Sequence, residues 1–158
     1  MKVVSNTTPI ISLSAIHKLE VLKLLFNQIY LPKAVHREIK TKKLSGYREI
    51  DADWFKVLDI KGIDYLGFLL NDLDAGEAEA IVLAREIKAD ILLIDERIGY
   101  DIAKSQNIFA IGTLAVLLMA KKKGIIQKVK PLLDEMIQKG RWYSAKTRES
   151  FLKKIGEL

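Results

Sequence analysis

The chain contains no cysteine. That excludes disulfides, thiolate zinc sites and cysteine nucleophiles, and it suits a reducing compartment. Its 2 histidines, His17 and His36, cannot build a histidine-rich metal site. His17 stands in a polar connection and reads as a surface residue. No apolar run approaches the ~18 residues of a membrane span, and the stretch 111–120 is too short. The opening residues MKVVSNTT go directly into a strand pattern and lack the apolar core of a secretion signal. The expectation is a cytoplasmic protein with no membrane attachment. Neither a G-x-G-x-x-G nor a P-loop lies at a strand–helix turn, which disfavours a nucleotide-binding regulator on a Rossmann-like sheet.

What is present is ordinary for a globular domain. The chain has 158 residues, 49% hydrophobic and 29% charged, enough for one domain with a real core. The net charge of +6 permits a polyanionic partner without requiring one.

Strand patterns fall at Lys2–Ser5, Ile29–Leu31, Phe55–Ile60 (an edge strand), Ile91–Ile94 and Ile108–Ile111. Helical spacing covers Ile10–Ile16, with Pro9 at or near the first helical position, and Leu19–Phe26. It resumes after Pro32 with Val35, Glu38 and Ile39. Residues 40–47 read as an exposed basic loop, and Ile63–Leu70 as a turn or short helix. Further helices follow the last two strands, and two more lie at Lys128–Gln138 and Thr147–Ile155. Strands alternating with helices predict an α/β fold with a mostly parallel sheet covered on both faces. We expect a single domain over 1–158, with 127–158 a C-terminal helical extension packed on it.

The most informative stretch is Leu73–Ile102. Asp74 followed by Glu77 is a capping-box pattern with Asp in the Ser/Thr place, so a helix starts there. Its apolar residues Ala78, Ile81, Val82, Ala84 and Ile87 predict one core face. The buried run Ile91–Ile94 then stops at Asp95-Glu96. Ligands in α/β folds sit at the carboxyl ends of such strands. Three strand ends carry polar groups: Asn6-Thr7-Thr8, Asp95-Glu96 and Gly112-Thr113. Helix-borne Glu38 and Glu77 are placed to join them. Oxygen-only ligands suit Mg²⁺ or Mn²⁺, which can activate water and stabilise displacement at phosphorus. The plainer alternative is that Asp74, Glu77 and Asp95 only cap helices.

The segments VVSNTTPIISL, YLPKAVHREI, LDAGEAEAIVLA, LLIDERIGYDIA and GTLAVLLMAKKKGII, in that order, cover most of residues 3–126. As a set they resemble PIN-domain proteins of the group similar to VapC-type toxin ribonucleases. The resemblance implies a three-layer α/β/α fold and a Mg²⁺- or Mn²⁺-dependent ribonuclease. It implies RNA as substrate, a small antitoxin as partner and a homodimer. By position, the family's four acids fall on Asn6, Glu38, Glu77 and Asp95. Asp74 and Glu96 lie beside the last two, and Thr8 and Thr113 are placed as supporting hydroxyls.

Asn6 departs from the Asp preferred there. Its amide oxygen can ligate a cation but cannot serve as a base. If Asp74 or Glu96 does not supply the missing charge, the alternative is a catalytically weak module that binds RNA or a protein partner. Tyr100-Asp101 stands where similar sequences often carry basic residues. Lys42, Lys43, Arg97 and Arg141 are candidate RNA contacts. Lys40–Lys43 alternatively form a solvated loop. In the segment 139–154, Arg141, Trp142, Tyr143, Lys146 and Arg148 mix cations with aromatics, as stacking and phosphate contacts require. The alternative is that Trp142 and Tyr143 dock the last helix.

Overall fold

Val3, Val4 and Ser5 are fully buried, as a strand covered on both faces requires. They form β1 (Val3–Ser5) at the centre of a five-stranded sheet. The computed structural model describes residues 1–158. After β1 come α1 (Thr7–Ala15), α2 (Glu20–Phe26), β2 (Ile29–Pro32) and α3 (Lys33–Thr41). A 3₁₀ turn (Glu49–Asp51) precedes β3 (Phe55–Leu58), α4 (Ile63–Leu69), α5 (Ala75–Glu86) and β4 (Ile91–Leu93). The chain continues through α6 (Arg97–Ser105), β5 (Ala110–Ile111), α7 (Thr113–Lys122), α8 (Lys130–Gln138) and α9 (Ala145–Lys154).

Every strand pairing is parallel, and the strand order is β3-β2-β1-β4-β5. The chain winds outward from β1 to β3, then crosses back to lay β4 against the other edge of β1. The strand order therefore reverses between β1 and β4. In open α/β sheets that reversal opens a crevice at the strands' carboxyl ends.

Alternation along the strands divides the core in two. Val3, Ile91 and Leu93 face a cluster built with α1, α2, α3, α7, α8 and α9. Val4, Leu92 and Ile94 face a second cluster built with α4, α5 and α6. The result is a three-layer α/β/α fold. Leu133, Met136 and Leu152 are buried in the first cluster, so the last two helices share its core. No helix is long and apolar enough to cross a membrane.

The structure departs from local pattern in three places. Thr7 and Thr8 begin α1, so Pro9 is its third residue. That position is tolerated because the first four helical N–H groups lack an intrahelical partner. Helix α5 buries Gly76, Ala78, Ala80, Ile81, Val82, Leu83 and Ala84 rather than one stripe. It is enclosed by α3, α4, α6 and the sheet, and a helix so enclosed is small or apolar nearly all round. The expected loop at 40–47 begins with the end of α3 and is anchored by buried Gly46, while Lys42 and Lys43 stay exposed. A Cβ on Gly46 would stand 3.2 Å from Ile10 Cγ2, and its φ of +94° lies in the left-handed region.

Glu157 secures the C-terminal helices. Its carboxylate accepts from Lys121 Nζ (2.8 Å) and from the backbone N–H groups of Val129 and Lys130 (both 2.9 Å), at the start of α8. Burial alone would raise this carboxyl. The Lys121 ammonium and the two N–H groups outweigh it and hold the group at about 2, down from 4.5. A depressed carboxyl stabilises the fold above its unfolded value and loses that contribution as pH falls from 4.5 toward 2. Glu157→Gln is therefore expected to destabilise the protein by roughly 1–3 kcal/mol at neutral pH. Thermal melts from pH 7 downward should show the gap closing across that acid window. A gap independent of pH would place the loss in packing instead.

Candidate active site

Ser5 pairs with Leu93, and the Asn6 N–H donates to Leu93 O at 2.9 Å. Asn6 and the Ile94–Asp95 segment therefore leave the sheet side by side at the point where strand order reverses. The start of α5 closes over Asn6. A Cβ built on Gly76 would stand 3.4 Å from Asn6 Oδ1, 3.5 Å from Thr7 Oγ1 and 3.5 Å from Val35 Cγ2. The first turn of α5 thus packs against the end of β1 and the start of α3, close enough that a Cβ at Gly76 would touch both.

Asp95 is held firmly. Its Oδ1 accepts from the Thr113 backbone N–H (2.8 Å) and its Oδ2 from Thr113 Oγ1–H (2.6 Å). These bonds tie the end of β4 to the start of α7. Gly112 is the reason this fits, since a Cβ there would stand 2.6 Å from Asp95 Oδ1. Gly112→Ala is expected to push the carboxylate off Thr113. A thermal melt checks this: Gly112→Ala should melt earlier than the natural protein, and an unchanged melting temperature would show that the Asp95–Thr113 contact absorbs the extra methyl.

The acids at the α5 start form a second group. Asp74 Oδ1 accepts from the Glu77 N–H (2.8 Å), and Glu77 Oε1 accepts from the Asp74 N–H (3.1 Å), completing the capping box. Glu96, rather than Asp95, caps α6 by accepting from Ile98 N (3.0 Å) and Gly99 N (2.6 Å). Burial pushes the Glu77 carboxyl up to about 7, and the nearby charges of Asp74 and Glu96 add to it. Asp74, Glu77 and Glu96 thus lie near one another at the start of α5.

Glu38 lies one helical turn beyond Val35 on α3, with Lys42 Nζ at 4.0 Å. The three expected acids do not close into one shell. No group of three His, Asp or Glu side chains stands ready to hold a metal ion. Glu77 is bonded to the Asp74 N–H and Asp95 to Thr113.

The C-terminal segment brings a residue whose role here its sequence context does not reveal. Arg141 Nη2 lies 3.5 Å from Asp95 Oδ1, and its guanidinium covers the Tyr143 ring at 4.5 Å. The sequence pattern places Arg141 among surface RNA contacts; the structure draws it to Asp95 instead. Burial raises the Tyr143 hydroxyl to about 12, with Asp95 contributing in the same direction. Trp142 points outward, 77% exposed, so Tyr143 alone docks. Arg148 is engaged by Asp134 at 2.7 and 3.1 Å, and Arg97 by Asp101 at 3.3 Å. Thr7, not Thr8, is the buried hydroxyl beside Asn6; Thr8 lines a cleft between α1 and the end of α8.

Four of the five buried side-chain atoms without a hydrogen-bond partner belong to this neighbourhood: Asn6 Oδ1, Thr7 Oγ1, Arg141 Nε and Tyr143 OH. Leaving such a group unpaired costs about 1–3 kcal/mol. Their concentration at one strand-end crevice marks a place built to receive something polar. Of these atoms, Asn6 Oδ1, unpartnered and with the acidic start of α5 beside it, is an oxygen donor of the kind a hard divalent cation takes. Residues 2–157 match the model of a family described as a PIN domain. No curated protein matches the chain.

Proposed function

The chain belongs to the PIN-domain family, whose members are generally nucleases, and from that premise we propose that it is a Mg²⁺- or Mn²⁺-dependent endoribonuclease. The observation that carries this reading is the buried, unpartnered Asn6 Oδ1 beside the acidic start of α5, at the sheet's switch point. Asn6, Glu77 and Asp95 would hold the cation, with Glu38, Asp74 and Glu96 supplying charge around it. When bound, the ion acidifies a water and stabilises charge developing at phosphorus.

The chain's own contribution is positional. Thr113 fixes both oxygens of Asp95, so this carboxylate spends little freedom when it engages a ligand. The capping box orients Glu77. The sheet buries Asn6 and keeps water from that side of the site.

In this reading the protein is the toxin half of a toxin–antitoxin pair, active as a homodimer and restrained by a small antitoxin. A second reading, a PIN-like module that binds RNA without cutting it, is favoured by one observation: no three acids stand ready as a metal group. Protein freed of any partner, incubated with a panel of RNAs, separates the two. Cleavage that needs Mg²⁺ or Mn²⁺ and stops with chelator supports the nuclease. RNA binding without cleavage under any divalent ion supports the module.

A further inference from the structure

We propose that Arg141 and Tyr143, carried on the turn between α8 and α9, form an anion site that holds a backbone phosphate of single-stranded RNA beside Asp95. The choice of RNA rests on the ribonuclease reading; the anion site itself rests on the idle donors of Arg141 and the groups around them.

Arg141 carries five N–H donors. Its side chain makes no hydrogen bond of good geometry in the structure, and its buried Nε has no partner. The approach to Asp95, at 3.5 Å, is an ion pair too long for a hydrogen bond. The side chain is 24% exposed, so its outer N–H groups face solvent while the enclosed Nε has no acceptor. Stacking on the Tyr143 ring holds the guanidinium plane and leaves its edges free. The Tyr143 hydroxyl, also buried and unpartnered, adds a neutral donor.

The backbone is prepared for this. The Arg141 N–H donates to Met136 O (3.0 Å) and the Gly140 N–H to Ile137 O (3.1 Å), which is the Schellman closure of a helix. Gly140 supplies the left-handed residue it needs, at φ +110°. The turn fixes where Arg141 leaves α8, so little order remains to be gained on binding.

A cleft of about 220 Å³ continues from Arg141 between α1 and α8, lined by Thr8, Ser12, Lys139 and Gly140. Lys139 is exposed there and carries no ion pair, which places a second cation one step along the path. A guanidinium binds phosphate through paired, charge-assisted bonds, whereas Lys offers only a point charge. Arg141 therefore takes the phosphate nearest Asp95, and Lys139 a neighbouring one.

The test is fluorescence anisotropy of a fluorescein-labelled single-stranded 12-nucleotide RNA in chelator, where metal-dependent cleavage cannot occur, repeated over a salt series. Arg141→Gln is expected to weaken binding about 10-fold, as the loss of hydrogen bonds to a charged group requires. The slope of log affinity against log salt should fall by about one. Arg141→Lys should keep the slope and still lose affinity, because the planar fork is gone. Tyr143→Phe should weaken binding with no change in slope. If Arg141→Gln melts early, the Arg141→Lys protein decides, with wild-type affinity overturning the proposal. Unchanged affinity and slope in Arg141→Gln overturn it too, as does a wild-type protein that binds no RNA. A protein that binds RNA through Arg141 but never cleaves it leaves the anion site standing and removes the ribonuclease reading.

Discussion

Asp95→Asn is expected to reduce metal-dependent RNA cleavage by about 10²–10³-fold or more, the scale seen when one preorganised electrostatic group is removed. The fold should survive. Asp95 is 9% exposed and holds Thr113 through two hydrogen bonds, of which the amide keeps one acceptor for the Thr113 N–H. The cost in stability should stay near 1 kcal/mol, or roughly 2–4 °C in a chain of this size. Arg141 loses the charge that draws it inward, so metal-free RNA binding should hold or strengthen while cleavage disappears. Cleavage rates, anisotropy and a melt on the same preparation give all three values. A variant that melts only slightly early and still cuts at the wild-type rate would remove Asp95 from the chemistry, and the site built around it would fall.

Asn6→Asp is expected to act in opposite directions with and without metal. Asn6 is 3% exposed, and no donor reaches its Oδ1. A carboxylate there would be buried, unpaired and next to the acidic start of α5, where Glu77 already stands at about 7. Without metal the substitution should cost about 2–4 kcal/mol, unless the new carboxyl takes up a proton. The sign depends on that proton: a carboxyl raised in the folded state destabilises at high pH, and the penalty fades as pH falls. With Mg²⁺ or Mn²⁺ the added charge should tighten binding, so the metal-induced rise in melting temperature should exceed that of wild type. Cleavage should be equal or higher. If the site is too weakly charged in the natural sequence, Asn6→Asp should be the variant that gains activity. A more stable Asn6→Asp protein in chelator would show that Asn6 does not stand in an acidic cluster.

Secondary structure was legible from the chain because its signals are local. The capping box at Asp74–Glu77 is one example, since both partners lie within a single turn. The abrupt end of the run Ile91–Ile94 at Asp95 is another, because a buried strand cannot carry a carboxylate much further inward. Parallel pairing followed from strands alternating with helices. Asn6, Glu77 and Asp95 stand out by their place at element ends and by resemblance to a family; the structure sets Asn6 beside the end of β4 and Glu77 in the capping box of α5.

Strand order was not legible. Nothing within β4 says that it pairs with β1 rather than beside β3; that depends on which helices cover which face. Yet this order places Asn6 beside the end of β4 and makes the crevice. Caps were the second hidden element. Glu96 and Asp95 are neighbours with the same chemistry, and only the packing of α7 against the end of β4 turned Asp95 to Thr113 and left α6 to Glu96. The choice of Thr7 over Thr8 beside Asn6 arose because α1 starts one residue after Asn6 and turns Thr7 inward.

The sequence by itself determined the elements, their parallel α/β class and the acids at their ends, because each of these is set by residues within a turn or a strand of one another. Only the tertiary structure decided that Arg141, far along the chain on the α8–α9 turn, faces Asp95 with its donors unspent. Helix α8 docks there because Leu133 and Met136 enter the core, and apolar burial has no direction along the chain from which a charge–charge meeting at the surface could be read.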